Sequence, residues 1–397
     1  VMLVISPWVA LYYDDIRLEA VIPIISSLLI IGALANPHMI IYRRNQNYLP
    51  DFKINIIKKI VSVAVMVFMA LHFKNFWALI VGQLTSTTLY SILSYFFHSG
   101  RPKISLIHIK KQWNFSKWML SKGVLGYTRS QLDTFYVSSL FGAASLGGFH
   151  TSKYISTMPA TQAISPALEP LLASFSRTKN QPEKLAHQVK LSLLVILLTA
   201  VPLTVFTYMF SQPLVHLLLG EKWLDFHNLF GILSLLSISL VIGRFAGQLL
   251  TAVGKVKILF YYDLVSLTFM AITLYLLKDL DLESFSLARV FVDWVTVAVL
   301  FFIATKQYCR MGFHYSLTAL IAIFAAIGIG KLTYFLHIGD LNLVLGLAVS
   351  TLSYGVLWLI FILVIYSAYY KRTPEGQHLK FITTGLLRKL TIHNKHE

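Results

Sequence analysis

Arg129 and Asp133 stand four residues apart inside an apolar stretch, and Arg289 and Asp293 repeat that spacing on a later one. Residues at i and i+4 share a helix face and can pair. Lys153, Glu169 and Arg244 sit in equally apolar surroundings with no partner in register. Ionisable groups at membrane depth are costly, so each marks function by default. Two chemistries fit the set. In one, the cations line a water-filled cavity that receives an anionic group such as a pyrophosphate-linked lipid, since guanidinium offers a fork of donors to phosphate oxygens. In the other, the two spaced pairs only neutralise each other and pin helix packing. Lys153, Arg244 and Glu169 favour the cavity.

Enzymatic constellations are thin by comparison. No glycine-rich loop cradles phosphate and no His-Glu-x-x-His spacing holds a metal. The single cysteine, Cys309, excludes an intramolecular disulfide and a multi-Cys metal site. Cofactor and metal are therefore expected to be none. Adjacent Asp14 and Asp15 are the one enzyme-like feature, suited to a membrane glycosyltransferase, although acids at a turn are expected on local grounds alone.

The elements that must position these residues are membrane spans. The chain is 56% hydrophobic and only 13% charged, where a soluble domain carries about a quarter charged residues. About twelve apolar segments, each of about 20 residues as a bilayer requires, are expected. After an outer helix end at 1–13 they run over 18–42, 54–73, 76–97, 116–141, 146–175, 190–218, 227–252, 257–277, 284–306, 314–336 and 341–369. The loops between them alternate. Arg43, Arg44, Arg101, Lys103, Lys179, Lys184, Lys255, Lys257 and the tail lysines fall on one side, while Lys74, Lys222 and Lys278 are among the few on the other. That asymmetry sets the basic side as cytoplasmic, with the C-terminus there. A net charge of +17 spread in this way faces anionic membrane lipids rather than nucleic acid.

Ile104, Ile107, Lys111 and Phe115 suit a helix lying in the headgroup layer, as do Leu379, Ile382, Leu386 and Leu390 in the tail. Pro159, Pro166 and Pro170 crowd one span, which predicts a bent helix between Lys153 and Glu169. Leu29–Ala35 echoes Leu240–Ala246, aligning Gly32 with Gly243, a pattern that suits a duplicated bundle. The chain opens with Val1 inside an apolar stretch, which reads as a fragment lacking its first spans.

Several stretches carry a resemblance. They are Phe76-Trp77-Ala78-Leu79-Ile80-Val81-Gly82, Gln131-Leu132-Asp133 with Phe141-Gly142 and Leu146-Gly147-Gly148-Phe149, and above all Pro213-Leu214-Val215 through Leu219-Gly220-Glu221-Lys222-Trp223. With Gly243-Arg244 through Gly254-Lys255, the chain resembles the Wzx-type polysaccharide flippases, near the colanic-acid and teichuronic-acid exporters. The resemblance implies an all-α polytopic bundle of two pseudo-repeated six-helix bundles plus two C-terminal helices, with N-terminal spans missing. The expected parts are 1–100 for the remainder of the first bundle, 101–115 for an interfacial linker and 116–310 for the second bundle. Two helices over 311–370 and a basic tail over 371–397 complete them. It implies a non-enzymatic exporter of the bacterial cytoplasmic membrane, moving polyprenyl-pyrophosphate-linked oligosaccharide by alternating access beside a polysaccharide polymerase. Lys153 and Arg244 are then expected to contact the head group, with Arg129 and Arg289 behind them. Asp133, Glu169 and Asp293 are expected to balance charge or carry coupling protons. A cation-coupled drug antiporter of the same superfamily and a glycosyltransferase using lipid-linked sugars are the alternatives.

Overall fold

A computed structural model describes residues 2–12, 16–45, 47–102, 109–306, 313–337 and 342–368. Asp14, Asp15, Lys103, Ile104, Ile107, Cys309 and the tail lie outside the described residues. Among the described residues every regular element is helical. The chain divides into two compact units, Val1–Ile109 and Lys110–Glu397.

The first unit holds α1 (Met2–Tyr12), α2 (Arg17–Ala33), α3 (Met39–Arg44), α4 (Leu49–Phe73) and α5 (Trp77–Phe97). α4 and α5 form a hairpin whose turn is set by Lys74 in the left-handed region (φ 50°) and by Asn75, whose Oδ1 accepts the Trp77 N–H at 3.1 Å. Buried Asn36, after α2, ties that helix to the end of α5. Its N–H donates to Ser94 Oγ at 2.8 Å and its Nδ2 to the Gly100 carbonyl at 2.8 Å.

The second unit begins with α6 (Ile109–Ser156), then a π-helical turn over Pro159–Ile164, α7 (Ser165–Ala167) and α8 (Glu169–Thr178). Each proline removes a backbone donor, and three in twelve residues split the expected single span into these pieces. α9 (Pro182–Met209), α10 (Ser211–Leu219), α11 (His227–Ser234), α12 (Leu236–Ala252), α13 (Val256–Leu276) and α14 (Leu282–Lys306) follow. Asp281 caps α14: its Oδ2 accepts the N–H groups of Glu283 and Ser284 at 3.1 Å, and with the Ser284 hydroxyl they hold its carboxyl below the ordinary range. α15 (Phe313–His337) and α16 (Leu343–Ala368) end the described chain.

Six described helical segments are long and apolar enough to cross a membrane, which makes this a multi-pass membrane protein. Other expected spans fall on helices that are shorter or broken, such as α2 and α6. The most apolar stretch of segment Glu221–Ala252 is 67% buried and that of α16 only 17%, so the former is the hub of the second unit and the latter lies at its rim. α15 and α16 pack on α9 through Ala322, Ala326, Trp358, Val201 and Val205. Pro202 cannot donate to the carbonyl four residues before it, that of Leu198. The Trp358 indole N–H reaches that carbonyl at 3.0 Å, and Tyr354 Oη donates to the Pro202 carbonyl at 3.1 Å.

Candidate functional site

α6 is two helices. Gly142 has φ 79° and ψ 177°, a conformation closed to residues bearing a Cβ. The chain reverses there. In a continuous helix, residues twenty apart would stand about 30 Å from each other; Lys153 Nζ instead lies 2.7 Å from Asp133 Oδ2 and 2.8 Å from Oδ1. The glycine turn thus sets the register that brings these two charges together.

Asp133 starts an alternating row of charge. Its fully buried carboxylate also accepts Arg289 Nε at 2.9 Å, with the Thr134 N–H at 2.7 Å. Arg289 continues to Asp293, NH1 to Oδ1 at 3.3 Å, the i,i+4 pair that the sequence spacing predicts. Asp293 meets Arg129 NH1 at 3.5 Å and accepts a short 2.5 Å bond from Ser239 Oγ. Arg129 in turn donates to Tyr262 Oη at 3.2 Å, and its Nε stands 3.6 Å from Asp263 Oδ1. The row reads Lys153, Asp133, Arg289, Asp293, Arg129, Asp263: three cations, three carboxylates.

Apolar packing closes one side of the row. Val137, Phe149 and Phe285 lie one helical turn from Asp133, Lys153 and Arg289, each toward the Gly142 end, and all three are fully buried. On the other side lies a cavity of about 630 Å³. Gly126, Gly243 and Gly247 leave it wide, and Arg129, Arg244, Glu169 and Asp263 face it. Lys122 and Thr251 extend its lining toward the end of the bundle that carries Lys255 and Lys257. Its charged lining is balanced, with Lys122, Arg129 and Arg244 against Glu169, Asp263 and Asp293. No cluster of metal-ligating residues occurs among the described residues.

A family model described as "Polysaccharide biosynthesis protein" matches residues 1–228, more than half of the chain. The chain belongs to that family. Among its curated relatives, the lipopolysaccharide biosynthesis protein WzxC of Escherichia coli K12 is 23% identical over 48% of this chain and 40% of the relative. The teichuronic acid biosynthesis protein TuaB of Bacillus subtilis 168 is 19% identical over 65% of this chain and 54% of its own. The chain thus spans about half the length of these relatives. A solved structure of the lipid II flippase MurJ, in an inward closed conformation, superposes with a TM-score of 0.64 at 13% identity, covering 88% of this chain and 75% of that one. The fold is that of MurJ.

Within this chain the expected residues gather, but with different partners. Arg129 pairs with Asp293 and Asp263 on other helices rather than with Asp133, four residues along. Lys153, expected to be unpartnered, is held by Asp133, which also takes Arg289. Lys153 and Arg289 are therefore locked into the row. Arg244 and Glu169 face the cavity, and neither has an ion pair among the described residues. Asp263, Ser239, Tyr262 and Lys122 were absent from the expected set. Asp263 was open to the rule that found the others, being an acid inside an apolar span; Ser239 and Tyr262 carried no such signal. With Asp263 counted, the cavity is not cationic by charge alone.

Proposed function

We propose that the whole protein translocates lipid-linked oligosaccharide repeat units across the bacterial cytoplasmic membrane for surface polysaccharide synthesis. It acts as a transporter rather than an enzyme, with its basic side and C-terminus in the cytoplasm. The observation that carries this reading is Arg244, a guanidinium without an ion-pair partner among the described residues in a cavity of about 630 Å³. Its side chain is exposed to that space with no counter-ion of its own among those residues, and a polyprenyl pyrophosphate supplies one, its oxygens matching the guanidinium fork. Arg129, only loosely held, is the second contact. Lys153 and Arg289 act behind them by fixing Asp133 and Asp293, and Glu169 balances charge. The names of WzxC, TuaB and MurJ support the same class of substrate. The lining reaches toward Lys122, Lys255 and Lys257, so the head group loads from the cytoplasmic leaflet while its lipid tail stays in the bilayer. Coupling to an ion gradient and contact with the polymerase belong to the same proposal.

The test uses the full-length protein in cells lacking their own exporter, scoring surface polymer and lipid-linked repeat units trapped at the cytoplasmic face. Wild type restores polymer. Arg244→Ala, inserted normally, traps the intermediate; normal export by that variant removes Arg244 from the site. The balanced lining keeps a drug antiporter as second reading. Wild type that moves no glycan but lowers drug accumulation would put that reading first.

A further inference from the structure

The three carboxylates of the charged row are held unequally. Asp133 accepts from two cations and a backbone N–H at 2.7–2.9 Å, with no exposure. Asp293 has Arg289 at 3.3 Å, Arg129 at 3.5 Å and the Ser239 hydroxyl. Asp263 has one contact, Arg129 Nε at 3.6 Å, beyond hydrogen-bond reach, and its carboxylate accepts no hydrogen bond among the described residues. Arg129 is as loosely placed at that end, since its buried Nε has no hydrogen-bond partner. Both residues face the cavity.

We propose that Asp263 is an internal stand-in for the ligand, the counter-ion that an incoming phosphate displaces from Arg129. This rests on the function proposed above and deepens it. The empty site keeps its ligand-facing guanidinium neutralised by Asp293 at NH1 and, at Nε, by Asp263, a carboxylate that accepts no hydrogen bond and so is the one readily exchanged. Gly126, one turn before Arg129, faces the same carboxylate: a Cβ there would stand in ordinary contact with Asp263 Oδ2, at 3.6 Å. Lys122, on the same face of α6 and lining the same cavity, is the cation available to Asp263 once Arg129 has turned to the phosphate. Binding thus exchanges one anion for another, and the exchange limits how tightly the head group is held.

The direction of the effect is the signature. A carboxylate that merely positions Arg129 would weaken binding when removed; a competing one strengthens it. The experiment measures the affinity of full-length protein in zwitterionic nanodiscs for farnesyl pyrophosphate by calorimetry. Asp263→Asn is expected to bind about three- to tenfold more tightly than wild type, the scale of one modest ion-pair contact. In an Arg129→Ala background the same substitution is expected to change nothing. Unchanged or weaker binding by folded Asp263→Asn overturns the proposal, as does tightening that persists without Arg129. Asp263→Ser removes the same charge with less bulk and is held to the same outcomes if the Asn variant folds poorly. Wild type that binds no pyrophosphate overturns both this inference and the function it rests on. Binding by wild type that Asp263→Asn leaves unaltered overturns the inference alone.

Discussion

Asp133 is the residue most committed to the row, because it compensates buried Arg289 and half-buried Lys153 at once. Replacing it by Asn leaves Lys153 and Arg289 against a neutral amide, and the expected loss is about 3–5 kcal/mol. Lys153→Met leaves Asp133 still paired with Arg289, and its side chain is 23% exposed, so the expected loss is smaller, about 1–2 kcal/mol on the scale of ordinary destabilising substitutions. Denaturation midpoints in detergent order the two. At this scale much of the site was legible. Charge at membrane depth identified seven residues, and helix spacing gave the Arg289–Asp293 pair outright. It misassigned Arg129, because a side chain with a local partner four residues away can prefer two distant ones across a helix interface. Long-range geometry of that kind has no signature in spacing.

Gly142 and Pro202 show what single residues do to an element. Gly142→Ala forces a Cβ into a conformation that favours glycine, at a cost of about 1–3 kcal/mol. The same change slackens the turn that sets the Asp133–Lys153 register, so its melting temperature falls while the protein still inserts. At Pro202 the prediction takes the form of a cycle. Trp358→Phe leaves the Leu198 carbonyl without its donor, an expected loss of about 1–3 kcal/mol. Pro202→Ala returns a backbone N–H to that carbonyl, so the double variant loses less than the sum of the two. Equal and additive losses would show that the indole serves packing alone. The helix breaks at Pro159, Pro166 and Pro170 were legible because proline carries its own structural consequence. The π-helical turn was not, and neither was a tryptophan whose partner lies 160 residues away.

For the whole molecule, the sequence fully exposed the all-α membrane character. The number of spans was less legible, since α2 is short and α6 is broken at Gly142. The orientation proposed from the basic loops can be tested directly. In a Cys309→Ser background, Lys74→Cys and Lys222→Cys are expected to react with an impermeant maleimide in intact cells, and Lys179→Cys and Lys255→Cys only after permeabilisation. The reverse pattern would invert the protein and the loading side proposed for it. The alternating row has one more consequence. Each elementary charge carried across the membrane potential is worth about 2.3 kcal/mol per 100 mV. Three cations and three carboxylates sum to zero, so a rearrangement that moves the row as a group does almost no electrical work. In the transport cycle proposed above, the row itself then adds almost nothing to voltage sensitivity, which is left to the charges that move with the cavity and its ligand.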